Sequence, residues 1–209
     1  MLNSIGFDLW TDGYDKSVNL SEECNEYPFA GYKDVLNSIY NQVRQKENSE
    51  VLDIGFGTGI LTSQLYNTGC NITGIDFSIK MIEIAKQKMP NAKLINWDFS
   101  KGLPEEIKNH HFDFIISTYA IHHLTEKEKI NIIKSLSSLL NEDGKILIGD
   151  VSFATRNDLE KNKEKYKSLW DNDEIYLVAE EIMENAKREY LCEYTKISHC
   201  AGILTVENR

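Results

Sequence analysis

The stretch "DIGFGTGI", beginning at Asp53, alternates glycines at Gly55, Gly57 and Gly59 directly ahead of an apolar run. Glycine is required where a backbone turns sharply and a ligand must approach with no Cβ in the way. A helix behind such a loop offers unpaired N–H groups and a partial positive charge, which suit an anion. A plain tight turn between a strand and a helix would carry the same glycines. The spacing narrows the choice, because a dinucleotide fingerprint needs a third glycine where this chain has Ile60. G-x-G-x-G suits a smaller anion, such as the carboxylate of an amino-acid moiety. Asp53, inside the strand that precedes the loop, is awkward as a core residue, since buried carboxylates are rare unless paired. An ammonium group nearby, direct or through water, would account for it.

Two further acids follow at the same kind of position. Asp76 ends the next apolar run, "NITGID", about 20 residues after the first glycine, where a carboxylate can accept hydrogen bonds from ribose hydroxyls. Its other reading is a helix-start residue, a role Ser78 fills better. Asp98 and Phe99, in "NWDFS", fit the exocyclic amine and the face of an adenine. A loop aspartate beside a core phenylalanine reads the same way.

"FDFIISTYAIHHLT" adds two adjacent histidines, His122 and His123, after an apolar run. Three roles compete for them. Adjacent histidines point in different directions and no carboxylate or cysteine recurs nearby, so no metal is expected. Histidine is poised near neutral pH, so a general base is open. In the third role one histidine supports the following helix and the other closes a pocket floor.

These residues need elements to hold them at one rim. "EVLDIG", "NITGID", "AKLINWD", "FDFIIS" and "KILIGDV" read as strands. Between them, "TGILTSQLYNTG" is a helix closed by Gly69, and "SIKMIEIAKQKMP" a helix capped by Ser78 and stopped by Pro90. "EKEKINIIKSLSSLLNEDG" is a helix with Ile130, Ile133, Leu136 and Leu140 inward, ending at Gly144. Strands alternating with helices mean βαβ units and a parallel sheet covered on both faces. Helical material is expected from Asn157 to about Lys187. "EYLCEYTKIS" and "GILTVEN" are then strands separated by too few residues for a crossover, so they pair as an antiparallel hairpin. The expected fold is α/β, Rossmann-like and doubly wound, with a mostly parallel seven-stranded sheet and a terminal antiparallel hairpin. Residues 1–45 are expected to form a helical cap carrying "GYKDVLNSIYNQVRQK", and residues 46–209 the core, with a helical insertion at about 151–188.

The 209 residues fit one domain with a small appendage. A net charge of −10 and the absence of a basic stripe exclude a polyphosphate partner, hence nucleic acid. Cys24, Cys70, Cys192 and Cys200 are widely spaced and signal neither zinc nor a disulfide framework. No segment approaches the roughly 20 apolar residues of a membrane span, and a cytoplasmic protein is expected. The sequence leaves oligomeric state open.

An amino-acid end, a ribose and an adenine without phosphate describe S-adenosylmethionine. The chain resembles the class I S-adenosylmethionine-dependent methyltransferases through "VLDIGFGTG", Asp76, Asp98, "FDFIISTYAIHHL" and "LLNEDGKILIGD". "FDLWTDGYDK", "STYAIHHLT" and "LLNEDGKI" are similar to a group of small bacterial methyltransferases of unassigned acceptor, associated with methionine and cysteine recycling. The resemblance implies cofactor contacts at Gly55, Asp76 and Asp98, with Gly57, Asp53 and Phe99 beside them. It places Ser117, Thr118 and Tyr119 along the cofactor, and folds Trp10 and Tyr14 over it as a lid; ordinary helix packing is the alternative for those two. It implies methyl transfer to a small-molecule acceptor by in-line displacement, leaving S-adenosylhomocysteine, with His122, His123 and Tyr14 as candidate catalytic groups. Two other readings stay open, a non-catalytic S-adenosylmethionine or S-adenosylhomocysteine binder and an NAD-dependent oxidoreductase. Ile60 and the terminal hairpin speak against the second.

Overall fold

The structure, a computed structural model, describes residues 26–209. Trp10 and Tyr14 lie outside the described residues. The first described helix, α1 (Tyr32–Val43), buries Tyr32, Val35, Leu36, Ile39 and Val43, the apolar face its spacing predicts. It lies tightly on the sheet: a Cβ at Gly149 would stand 2.4 Å from Val35 Cγ1.

The sheet is built from β1 (Glu50–Ile54), β2 (Asn71–Asp76), β3 (Lys93–Asn96), β4 (Phe112–Thr118), β5 (Leu140–Phe153), β6 (Leu177–Val178), β7 (Tyr190–Lys196) and β8 (Ala201–Asn208). Its order is β3-β2-β1-β4-β5-β8-β7, with β6 pairing β5 off this path. The pairs from β3 to β5 are parallel, and β8 is antiparallel to both β5 and β7. The chain steps outward from β1 to β3 and then restarts at β4 beside β1. That reversal makes the carboxyl ends of β1 and β4 the switch point where an open sheet binds ligands.

Helices α2 (Ile60–Asn67) and α3 (Ile79–Lys88) link the first strands, and α4 (Glu126–Ser137) leads to β5. Two apolar clusters lie on opposite faces of the sheet. Val51, Phe114, Ile116 and Leu147 join α1 and α2 in one; Leu52, Ile115, Ile146 and Ile148 join α4 in the other. Neighbouring strand residues alternate between them, which explains why these strands read as unbroken apolar runs.

The structure corrects the sequence reading in two places. First, α4 ends at Ser137 rather than near Gly144, because Phe112 N–H donates to the Leu139 carbonyl (2.8 Å) and Leu140 pairs with Phe112 in the sheet. Leu140 is therefore a strand residue, Ile130 is half-buried, and Lys129 and Ile132 take the inward positions.

Second, the stretch from Asn157 to Lys187 is not continuously helical. Helix α5 (Arg156–Lys165) gives way to an irregular loop, then β6 and α6 (Ala179–Ala186). Aromatic packing draws that loop inward: Tyr166 and Trp170 both stack on Tyr27, and Tyr176 meets Trp170 edge-on at 4.9 Å. The main path of the sheet has the seven strands expected, with the terminal hairpin antiparallel, and the two-residue β6 pairs β5 beside it.

Candidate functional site

The loop after β1 turns with Gly55 at φ 73°, Gly57 at 56° and Gly59 at 74°, all in the left-handed region that side chains resist. At Gly55 a Cβ would lie 2.5 Å from Ala120 Cβ, so the glycine lets the two rim loops touch. At Gly57 a Cβ would meet nothing within 4 Å, which leaves its backbone open to an approaching ligand. Gly59 precedes α2 at its N-cap.

Two acids flank this loop. Asp76, buried at the end of β2, accepts from Gly57 N–H (2.8 Å) through one oxygen and from Ser78 N–H (2.9 Å) through the other. Ser78 caps α3 by accepting from Met81 N–H, as expected. Asp53 is fully buried. Its Oδ2 accepts from the Thr62 hydroxyl, while its Oδ1 has no hydrogen-bond partner among the described residues. Burial pushes its pKa up to about 7; the Thr62 bond opposes this and the Asp76 charge adds to it. Asp53 is not part of the crevice lining; Thr62, which does line it, stands between the orphaned carboxylate and the open space.

Along the crevice, Tyr32, Phe99, Thr118, Tyr119 and His123 line the walls, with Gly55, Gly57 and Asp76 at the glycine end. Phe99 is thus a wall residue of the crevice. Asp98 sits beside it on the rim, outside the lining, and accepts from Ser100 N–H (3.0 Å) and Ser100 Oγ (2.6 Å), with Lys101 at 3.2 Å. Partial burial would raise its pKa, but the Ser100 bonds and Lys101 hold it below the ordinary carboxylate value. Ser117 is buried and its hydroxyl donates to the Ile54 carbonyl (2.9 Å), tying β4 to β1 rather than facing the crevice.

His122 and His123 form a short 3₁₀ turn, with ring centroids 4.3 Å apart and planes at 60°. They do different things. His123 borders the crevice, whereas buried His122 bonds through Nδ1 to Asp150 Oδ1 at 2.6 Å. Its Nε2 lies 3.6 Å from Glu174 Oε1, so a carboxylate does reach the pair, from the loop before β6. Burial alone would lower the His122 pKa, but the charge and hydrogen bond of Asp150, with Glu174 behind, raise it. Burial and the neighbouring His122 charge push His123 down to about 4.

Asp150, Glu174 and Lys129 are the residues that sequence reading missed. Asp150 ends "ILIGD" much as Asp76 ends "NITGID", a carboxylate at the rim end of a strand, so its signal was available. Glu174 had none, because its loop reads as helix.

A family model described as a methyltransferase domain matches residues 45–195. An uncharacterized methyltransferase of Anoxybacillus flavithermus is 34% identical over 200 residues, spanning 92% of this chain and 84% of its own. One from Bacillus mycoides is 39% identical over 162 residues, or 77% of this chain and 73% of its own. Among solved structures, a TehB-like SAM-dependent methyltransferase from Corynebacterium glutamicum aligns with a TM-score of 0.64 at 17% identity, over 95% of this chain and 98% of that one. A DhpI–SAH complex aligns with the same score at 15% identity, over 95% and 96%. Likeness at such low identity concerns the fold alone. The matched domain, relatives above 30% identity and the β3-β2-β1-β4-β5-β8-β7 sheet together make this chain a member of the class I S-adenosylmethionine-dependent methyltransferases.

Proposed function

We propose that this methyltransferase transfers the methyl group to a small-molecule acceptor by in-line displacement in the crevice between the β1 and β4 loops. The observation that carries the reading is the pairing of an open, left-handed Gly57 with a buried Asp76 that already accepts its N–H. Such a carboxylate, at the end of the second strand, is placed to accept two ribose hydroxyls. Gly55 and Gly57 let the amino-acid end approach the backbone, and Asp53, from behind Thr62, supplies the counter-charge for its ammonium. Phe99 provides a face for the adenine, with Asp98 available for the amine after exchange of its Ser100 contact. Of the three residues expected along the cofactor, Thr118 and Tyr119 line the crevice, whereas the Ser117 hydroxyl is engaged elsewhere.

When bound, S-adenosylmethionine supplies an electrophilic methyl group on a sulfonium. The chain's own task is then to hold the acceptor in line at about 3 Å and exclude water, which can account for much of the rate without a covalent partner. A base is needed only where the acceptor must lose a proton. Of the three candidates, His123 faces the crevice and His122 does not.

Calorimetry with S-adenosylhomocysteine and with NAD tests the crevice directly. Tight binding of the first and none of the second is expected; the reverse would refute the assignment. Incubation of labelled S-adenosylmethionine with a panel of thiols, amines and carboxylates should then give a methylated product. No product from the panel, with label passing instead to nucleic acid added in a parallel incubation, would overturn the acceptor class.

A further inference from the structure

The two carboxylates that flank His122 are differently anchored. Asp150 is fixed by the backbone: Oδ2 accepts from Ile121 N–H (3.0 Å) and His122 N–H (3.2 Å), and Oδ1 from Val151 N–H (2.7 Å). Glu174 belongs to the irregular loop before β6, and that loop is laced onto the histidine turn. Ile175 N–H donates to the His122 carbonyl (2.9 Å), and Lys129 Nζ donates to the carbonyls of Leu124 and Ile175, 2.5 Å each. Lys129 is buried on α4, so the lacing is internal.

A neutral imidazole has one N–H and one lone pair. Asp150 stands at hydrogen-bond distance from one nitrogen and Glu174 at ion-pair distance, 3.6 Å, from the other, so a neutral ring would turn a lone pair toward an anion, whereas a proton on both nitrogens makes both contacts attractive. Burial opposes the charge, but two nearby anions offset it. We propose that Asp150 and Glu174 hold His122 as an imidazolium from its two nitrogens, and that Glu174 is thereby a positioning residue that keeps His123 neutral against the crevice.

The groups that face His122 are Asp150 from β5, Glu174 and the Tyr176 ring (6.4 Å) from the loop, Lys129 from α4, and His123 from its own turn. Asp171, also in the loop, acts on His123. A second cation 4.3 Å from the first would be repelled, so His123 presents an uncharged ring. A neutral imidazole can take or give one hydrogen bond to an acceptor heteroatom that carries its own hydrogen. The loop before β6 thus sets the polarity of the acceptor wall without touching the acceptor. This inference rests on the crevice being the methyl-transfer site. A rival occupant exists, because ligand atoms of His122, His123 and Glu174 all lie within 4.8 Å of one another, a span a divalent cation could bridge.

The test is ¹⁵N-histidine NMR of the full chain, with and without S-adenosylhomocysteine, in the wild type, Glu174→Gln and Glu174→Asp. In the wild type, one histidine with a ring near Asp150 should keep both nitrogens protonated from about pH 6 to 8, where an ordinary histidine titrates. His123 should stay neutral there and change its shifts when the ligand is added. In Glu174→Gln the doubly protonated signal should begin to titrate in that range and His123 should become more basic, with recovery in Glu174→Asp. A purely structural glutamate would move the melting temperature and neither signal. An unprotonated nitrogen on wild-type His122, or identical titrations in wild type and Glu174→Gln, would overturn the proposal. So would stoichiometric cobalt(II) binding, seen as a visible absorption band and lost in Glu174→Gln. Failure of S-adenosylhomocysteine to bind would instead refute the crevice assignment, while the protonation state of His122 would still be read in the unliganded protein.

Discussion

The Asp76 carboxylate accepts the Gly57 N–H at 2.8 Å, so one side chain both closes the end of β2 and pins the glycine loop that follows β1. Replacing it has two consequences. Asp76→Ala removes the anchor of the loop and the two charge-assisted bonds assigned to the ribose, a loss of about 2–4 kcal/mol in S-adenosylhomocysteine binding. Calorimetry should read a weakening of roughly 30-fold or more at the lower end of that range. Unchanged affinity would mean that the ribose is held elsewhere.

Asp53 predicts an unusual pH dependence. Its folded pKa of about 7 stands above the ordinary 3.8, so the protonated acid is the form the unliganded fold prefers. The associated stability is complete below the unfolded value, is lost as pH rises between the two, and is gone above the folded value. The limiting slope in that window is about 1.4 kcal/mol per pH unit. Melting temperatures between mildly acidic and neutral pH should fall in the wild type and flatten in Asp53→Asn. The gain in melting temperature from S-adenosylhomocysteine should grow over the same window, because an ammonium favours the ionised acid.

Gly55→Ala should fail at the level of the fold. The substitution combines a left-handed φ of 73° with a Cβ placed 2.5 Å from Ala120 Cβ. Backbone strain and forced displacement together cost about 2–4 kcal/mol. Urea unfolding should show a lower midpoint at an unchanged slope. Gly57→Ala, with equal strain in kind but open space around it, should destabilise less and show its larger effect on ligand affinity.

Lys129→Met tests the lacing of the loop to the turn. The ammonium, whose pKa burial lowers to about 8, bonds the carbonyls of Leu124 and Ile175. Leaving two buried carbonyls unmatched costs on the order of 2–4 kcal/mol. Hydrogen exchange should speed up at Ile175, whose N–H donates to the His122 carbonyl, while the amides of β1 and β2 keep their protection.

The crevice was legible in the sequence where the chemistry is local. Gly55, Gly57, Asp76 and Phe99 each stand within a few residues of the strand end that positions them, and the structure brings them to one rim. Ser78 starts its helix and Gly69 closes its own as their residue types require. Long-range partners were not legible. Lys129 reads as part of a solvated helix face until Leu124 and Ile175 supply carbonyls for it. Ser117 reads as a lining residue until the Ile54 carbonyl claims its hydroxyl. The loop between α5 and β6 has a helix-like composition, and only the packing of Tyr166, Trp170 and Tyr176 around Tyr27 turns it into something else. In each case tertiary contact overrode a local preference.

Because three backbone amides and an imidazole all converge on Asp150, the turn beyond β4 is riveted to a strand in the middle of the sheet. That side of the cleft cannot yield to a bulkier guest without dragging the scaffold with it. Diversification of what such an enzyme alkylates would accordingly have to come from the walls that lack this rivet.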